Sequence, residues 1–486
     1  MNIILFGAGK MTMRFLESEE SHGHNILAVA DNDTARQGTK LTAGNKSLEI
    51  ISAEEVAAYQ FDIVLITIAN FSHQLDIANK LMSLGVNFDK IKLLHNMHIV
   101  NCIKVLDKAY SLVKDDAILI DVSDAAHCFF VTGIQRTIIE LYKNLLAIGA
   151  SVCLVQFIGG KWITANEFDC RINNKVFDGV EYVVRTDGRK LLLPDALWNN
   201  ERVLDEISGG RELSVIVYDI IPILHPECVV DAYQQKFVRW LDNVLKYASQ
   251  CICISKSVAD DLIAYYKHKN IKRENSLEIH YMHLGFDIPK LEESVRKNIA
   301  DFVNRGMTFL IVGTVEIRKN HHLLLRSFKR VCQELPDKQI QLLIVGKDGW
   351  KNEDFKKMYD SDKLIHERCL WVKDASDGEV QWAYNHCVAL VYPTRAEGFG
   401  LPLVEAAHFG LPILCSDIPI FHEVVGDNAD YFAVNDEYAL QEALIKWIQS
   451  ELHPDSRFVK TYTWKECATE LLDTMNGNVD SYDVLF

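Results

Sequence analysis

No apolar run in this chain approaches the roughly 20 residues needed to span a bilayer, so a membrane-crossing helix is not expected. The N-terminal MNIILFGAGK lacks the cationic start and small-residue cleavage site of a signal peptide. The expected location is therefore the cytoplasm, with peripheral contact at the inner membrane face left open, although no basic amphipathic helix argues for it. Positive charge is in deficit: 51 Lys and Arg face 67 Asp and Glu, for a net charge of −16. That balance argues against nucleic acid as a partner and for local rather than global attraction of phosphates. The 12 cysteines show no metal-ligand spacing; Cys251 and Cys253 alternate in CICIS as buried thiols do. Low-complexity segments and short internal repeats are missing as well. What is present is 486 residues with 49% hydrophobic content, an ordinary globular composition and enough chain for about three domains, each with its own core.

The densest segment is RAEGFGLPLVEAAHFG (395–410). The apolar, β-branched CVALVYPT before it reads as a buried strand. Pro402 marks a first helical turn, and Gly410 with Pro412 marks its end. The loop from Glu397 to Leu401 thus precedes a helix N-terminus, where free N–H groups and the helix dipole favour phosphate. Gly398 and Gly400 are expected to let the backbone approach a ligand. Glu405, about one turn into the helix, suits a sugar hydroxyl rather than a phosphate, because a carboxylate accepts hydrogen bonds and repels anions. A second strand-loop-helix, FLIVGTVEIRKNHHLLLRSF (309–328), contains Gly313 and Thr314 and puts Leu323, Leu324 and Phe328 on an apolar helix face. Arg318 and Lys319 fall near the positive end of that helix, where cations are unfavourable, so an anion is expected beside them. The pair His321-His322 has no third ligand at metal spacing.

The spacing Glu397-x7-Glu405 around GFGLP resembles the signature of family-4 retaining glycosyltransferases of the GT-B fold. The resemblance implies that Glu397 lies beside the donor sugar, that Phe399, Gly400 and Leu401 hold sugar and diphosphate through backbone amides, and that Glu405 holds the ribose. The segment GTVEIRKN is similar to the family's GTxExRKN, which places Arg318 and Lys319 on the diphosphate and Gly313 and Thr314 on the donor side. Val372 is a further donor-binding candidate that the resemblance implies. No divalent metal and no cofactor is then required. The donor is a nucleoside diphosphate sugar, and the mannosyltransferase-like segment YDIIPILHPE (218–227) favours GDP-mannose. Relatives often carry His-Asp where this chain has Tyr218-Asp219, which makes both cleft candidates. A similar TGIxR loop makes Gly133 and Arg136 candidates too, a solvated Arg136 being an equal alternative.

Strand and helix alternate through QLLIVGKDGW (341–350) and CLWVKDASDGEVQWAYNHC (369–387), where Ser376 and Glu379 form a capping box. Such alternation predicts a parallel sheet with its ligand crevice beyond the carboxyl ends of the strands. In SQCICISKSVADDLIAYY (249–266), Ser255 or Ser257 is the helix cap. The expected organisation is α/β: a Rossmann-like domain at 1–110, a GT-B N-terminal lobe at 111–290, a C-terminal donor lobe at 291–460 with an interlobe linker near 288–307, and a terminal helix crossing back at 461–486.

The first hundred residues open on NIILFGAG (2–9), a strand running into Gly7-x-Gly9, and ILAVADND (26–33) places Asp31 where a ribose-binding acid stands. Thr12 occupies the third glycine position. This domain resembles those appended to bacterial polysaccharide-biosynthesis enzymes; a bound nucleotide and a packing or assembly role both stay open. Function is expected to be transfer of a hexose, mannose favoured, to a glycan or lipid-linked glycan acceptor in surface polysaccharide synthesis, with self-association open. The alternatives are a nucleotide-binding sensor or scaffold with degenerate lobes and, third, a GT-B hydrolase or epimerase.

Overall fold

The computed structural model describes residues 1–44, 46–68, 71–95, 98–101, 104–109, 113–127, 133–158, 161–177, 179–195, 212–287 and 295–486. The chain divides into two compact units, 1–115 with 121–127 and 153–187, and 116–120 with 128–152 and 188–486.

The first unit contains β1 (Asn2–Phe6), α1 (Lys10–Leu16), β2 (Asn25–Ala30), β3 (Lys40–Ala43), β4 (Lys46–Ile51), β5 (Ile63–Ile66), α2 (Phe71–Ser83), β6 (Ile91–His95) and β7 (His98–Asn101). The sheet order is β3-β4-β2-β1-β5-β6-β7. Its five central strands are parallel, and β3 and β7 close the edges antiparallel. Ile4 and Phe6 pack on one face and Ile3 and Leu5 on the other, which is why β1 reads as a continuous apolar run. Next come β8 (Lys104–Ala109), β9 (Ile118–Asp121), α3 (Gly133–Ala147), β10 (Val152–Ile158), β11 (Lys161–Thr164) and β12 (Val180–Val183). β10, β11 and β12 pair antiparallel, and β12 runs parallel to β8. That pairing groups 153–187 with the first unit, although they fall inside the stretch expected to form one lobe.

The second unit carries two sheets. The first takes β9, β13 (Leu191–Leu193), β14 (Leu213–Val217), β15 (Gln250–Cys253) and β16 (Leu277–Tyr281) in sequential parallel order, with α4 (Asp231–Tyr247) and α5 (Lys256–Lys269) between strands. Cys251 and Cys253 lie fully buried in β15, where desolvation pushes the Cys251 thiol up to about 12. After α6 (Lys297–Val303) the second sheet contains β17 (Met307–Val312), β18 (Ile340–Val345), β19 (Cys369–Val372), β20 (Ala389–Tyr392), β21 (Ile413–Ser416) and β22 (Asp430–Phe432). Its strands are all parallel in the order β19-β18-β17-β20-β21-β22. Order therefore reverses between β17 and β20, the place where such sheets bind ligands. Helices α7 (His321–Glu334), α8 (Glu353–Ser361), α9 (Asp377–His386), α10 (Leu401–His408), α11 (Pro419–Val424) and α12 (Glu437–Gln449) accompany it.

Two expectations need correction here. The apolar stripe of α7 runs through Leu324, Leu325 and Phe328, one turn apart on one face, with Leu323 only partly buried beside it. Of the linker expected at 288–307, the first part lies outside the described residues, and 297–303 is α6, whose Ile299, Phe302 and Val303 belong to the C-terminal core.

The chain ends with α13 (Trp464–Met475), capped by a Thr463–Glu466 box, and β23 (Asp483–Leu485), which adds antiparallel to β16. Helix α13 packs on α3. Its start is fixed by backbone contact: the Phe286 N–H donates to Tyr462 O at 2.7 Å, and a Cβ on Gly285 would stand 2.4 Å from Trp464 Cα. Gly285→Ala is expected to destabilise the second unit by about 1–3 kcal/mol, the usual cost of overpacking. Urea denaturation checks this, and an unchanged midpoint would contradict the contact. Among the described residues no helix is long and apolar enough to cross a membrane.

Candidate functional site

Because β17 and β20 are hydrogen-bonded neighbours running the same way, the loops at their carboxyl ends meet. The loop after β17 makes a single 3-10 turn, Ile317–Lys319, and reaches α7 through Asn320 at φ +60°. The loop after β20 passes through Thr394 and Glu397 to Gly400, the N-cap of α10 at φ +97°. There a Cβ would be both strained and 3.0 Å from the Phe421 ring, so glycine is required.

Arg318, Lys319 and Glu397 form one cluster at this junction. Arg318 Nη1 lies 2.8 Å from Glu397 Oε2, and Lys319 Nζ is paired with Glu397 Oε1. The Tyr392 hydroxyl donates to Oε1 at 3.0 Å and the Thr394 hydroxyl at 3.3 Å. Arg318 also bonds the buried Glu316 carboxylate at 2.8 Å and donates to Ala396 O at 2.8 Å. Burial alone would raise the Glu397 carboxyl, but the two cations and their hydrogen bonds outweigh it and hold it at about 2. Burial draws the Lys319 ammonium below its usual value against the opposing pull of Glu397, and it raises Glu316. Arg318 is thus paired with both Glu397 and Glu316, and Lys319 with Glu397.

Glu405 sits on the same helix that Gly400 caps. It accepts from the Tyr384 hydroxyl at 2.6 Å, and burial raises its carboxyl against the opposing Tyr384 bond and the charge of Arg136. Arg136 is half-buried on α3. Gly133 opens α3 at an exposed position with room for a Cβ. Asp219 accepts from the Ile221 N–H at 3.0 Å; burial raises its carboxyl while Arg318 opposes. Tyr218 points elsewhere, donating its hydroxyl to Pro194 O at 2.8 Å.

Several donor-side candidates act through backbone or packing. Gly313 sits at φ +141° with Lys319 alongside, and a Cβ on Gly346 would fall 1.9 Å from Gly313 O. Thr314 packs where a Cβ on Gly349 would lie. The Val372 side chain belongs to the core, and its carbonyl accepts from Gly346 N–H at 3.0 Å. Phe399 is buried against the His283 ring at 5.9 Å, and Leu401 is half-buried at the start of α10. Gly398 was expected to admit a ligand. Instead its bare Cα meets the other lobe: a Cβ would stand 2.0 Å from Tyr218 O, and Gly398 O accepts from the Ser255 hydroxyl at 2.8 Å. Ser255 is also the cap of α5, accepting from Val258 N–H at 3.1 Å.

Sequence reading did not single out Glu423. On α11 it accepts from the N–H groups of Lys256 (2.7 Å) and Ser257 (2.8 Å), from the Ser257 hydroxyl (2.6 Å), and pairs with His283 at 3.0 Å. A C-lobe carboxylate thus tops the N-terminus of an N-lobe helix, a favourable use of its dipole. Burial would raise Glu423, yet these bonds leave it lowered. No local sequence signal marks it, since its partners lie far away along the chain.

In the first unit Asp31 is already engaged. Its Oδ2 accepts from Ala8 N–H at 2.6 Å and its Oδ1 from Asp33 N–H at 2.9 Å. Gly7, at φ +111°, lies against Ile68, whereas Gly9 is open. Thr12 is buried, bonded to Gly7 O and within 2.6 Å of the Thr67 hydroxyl, which gives the missing third glycine a packing reason. Among the described residues no group of three or more His, Cys, Asp and Glu could hold a metal ion.

Glu397→Gln keeps volume but leaves two buried cations with a neutral partner, a loss that costs about 3–5 kcal/mol in buried pairs. Hydrogen exchange of β17 and β20 under mild urea is expected to report that loss. Because the Glu397 carboxyl titrates below its usual 4.5, its contribution is present above that value and fades as pH falls towards about 2. The variant should lack this acid limb, and protection equal to wild type would contradict the geometry.

Residues 296–462 match the family model described as Glycosyl transferases group 1, and 1–92 match that of the C2185-like N-terminal domain. The serotype-specific mannosyltransferase WbdA of Escherichia coli is 28% identical over 380 residues, 74% of this chain and 46% of WbdA. The chain therefore spans about half the length of that relative. The O-antigen chain mannosyltransferase RfbU of Salmonella typhimurium is 28% identical over 251 residues, 51% of this chain and 64% of RfbU. The Anabaena Alr3699/HepE structure in complex with UDP and glucose superposes with a TM-score of 0.51 at 15% identity, covering 75% of this chain and 98% of that one. The fold is thus GT-B, and the segment that carries Arg318, Lys319, Glu397 and Glu405 matches the group 1 glycosyl transferase model.

Proposed function

We propose that this chain is a retaining glycosyltransferase of the family-4 type. It moves a hexose, with mannose from GDP-mannose favoured, to a glycan acceptor during assembly of a bacterial surface polysaccharide. The observation that carries the reading is the cluster of Arg318, Lys319 and Glu397 at the strand-order reversal, next to the N-terminus of α10. Mannose and the polysaccharide rest on the printed functions of WbdA and RfbU.

In this reading the diphosphate lies against Arg318, Lys319 and the N–H groups of Phe399, Gly400 and Leu401. Glu397 keeps both cations oriented, so little reorganisation is needed as charge builds on the leaving group. The acceptor hydroxyl attacks the anomeric carbon from the face on which the diphosphate departs. The anomeric carbon–oxygen bond to diphosphate breaks, the bond to the acceptor oxygen forms, and the hydroxyl proton passes to a departing phosphate oxygen. Glu405 accepts hydrogen bonds from the ribose, and Asp219 closes the site from the N-terminal lobe. Arg318, Lys319 and the N–H groups at the α10 N-terminus meet the charge that builds on the diphosphate, and the reaction is proposed to require no divalent metal. The acceptor is proposed to be lipid-linked.

Incubation with a panel of nucleotide sugars, reading released nucleoside diphosphate, is expected to select GDP-mannose and to survive excess chelator. Charge-assisted hydrogen bonds contribute about 1.5–3 kcal/mol each, so Lys319→Ala should lower turnover roughly tenfold or more. No release from any donor, or wild-type turnover in Lys319→Ala, would overturn the assignment.

A further inference from the structure

Behind the wall that presents Arg318 and Lys319 lies a cleft of about 430 Å³, within the size range of small-molecule sites. It lies at the N-terminus of α7, which has no acidic residue in its first turn and no side-chain cap. Side-chain nitrogens on two of its lining residues have no hydrogen bond. His321 is only 2% exposed, and neither ring nitrogen has a hydrogen bond; the buried Arg395 Nε also lacks one. Burial holds the His321 imidazole at about 3 and therefore neutral, with one N–H to donate and one lone pair to accept. A buried donor and acceptor left unmade are costly, and native proteins satisfy them by protein, water or ligand.

The lining chemistry narrows the ligand. Arg326, Lys351 and Arg395 are balanced by Glu316, Asp354 and Glu437. An anion would meet three carboxylates and a cation three basic groups. Hydroxyls, which donate and accept together, match a set of mixed sign. Asn320 and Asn435, both at φ +60°, add amides joined at 3.0 Å. We propose that this cleft is a second carbohydrate site, binding a neutral hexopyranose residue through His321, Arg395 and the Asn320–Asn435 amide pair. The site is coupled to the catalytic wall, since Arg395 N–H donates to Arg318 O at 2.9 Å and an Arg395 guanidinium N–H to Asn320 Oδ1 at 3.3 Å. A glycan chain held there keeps its sugars near the transfer site between reactions. The sugar class rests on the lining and not on the transfer reaction.

The test is a titration of the full chain, labelled with ¹⁵N-histidine and saturated with GDP, with methyl α-D-mannopyranoside and separately with inorganic phosphate. The His321 ring resonances, assigned by their loss in His321→Phe, are expected to shift saturably with the sugar at millimolar concentration and to ignore phosphate. Asn435→Gly suits the left-handed backbone and keeps His321 as a reporter; it should weaken the sugar response at least fivefold. Ring resonances that stay still with the sugar, a response to phosphate alone, or an undiminished response in Asn435→Gly would each overturn the proposal. The readout is binding at His321, so it stands whether or not the protein proves to transfer sugar.

Discussion

Glu397 between Arg318 and Lys319 is the interaction on which the rest of this lobe depends. Two cations taken out of water next to a helix N-terminus would be repelled by its dipole and penalised by desolvation. One carboxylate, itself drawn down to about 2 by them, offsets both effects. The arrangement exists because β17 and β20 are neighbours in the sheet although 318 and 397 are far apart in the chain. Tyr392 and Thr394 then hold the carboxylate from the β20 side, and Glu316 and Ala396 O hold the guanidinium. A charge pattern fixed before any ligand arrives is what electrostatic catalysis requires.

The same loop joins the lobes. Gly398 touches Tyr218 by backbone alone, Ser255 reaches across to its carbonyl, and Glu423 tops α5. Any side chain at 398 would push the loop that positions Glu397 away from the strand end that presents Asp219. The geometry of the Glu397 loop and lobe packing therefore share one glycine. The terminal α13 and β23 add to the N-terminal lobe after the chain has completed the C-terminal one, so the chain passes between the two lobes a second time.

Much of the C-terminal lobe was legible in the sequence because its signals are local. The Ser376–Glu379 box, Pro402 within α10 and the alternation of apolar strands with capped helices all appear where expected. Arg318, Lys319 and Glu397 could be named from their motifs, whereas their mutual pairing depends on strand order and could not. Glu379 shows the same limit: its capping role is local, but its bonds to Arg296, at 2.7 and 3.0 Å, are not. Glu423, Tyr384 and the Gly398 contact carry no local signature. The strands β10 to β12 were obscured because such short strands lack a strong period, and the pairing of β12 with β8 is non-local. In the first unit Asp31 stands at the expected strand end, but its carboxylate is spent on Ala8 and Asp33.

The most direct test of the central claim is a crystal structure of the full chain soaked with GDP. The account predicts diphosphate oxygens within hydrogen-bond distance of Lys319 Nζ and the Arg318 guanidinium, with the loop N–H groups of 399–401 completing the site and Glu397 still in contact with a cation. Diphosphate found instead on the Gly7–Gly9 loop of the first unit, with the Arg318–Lys319–Glu397 cluster untouched, would contradict it.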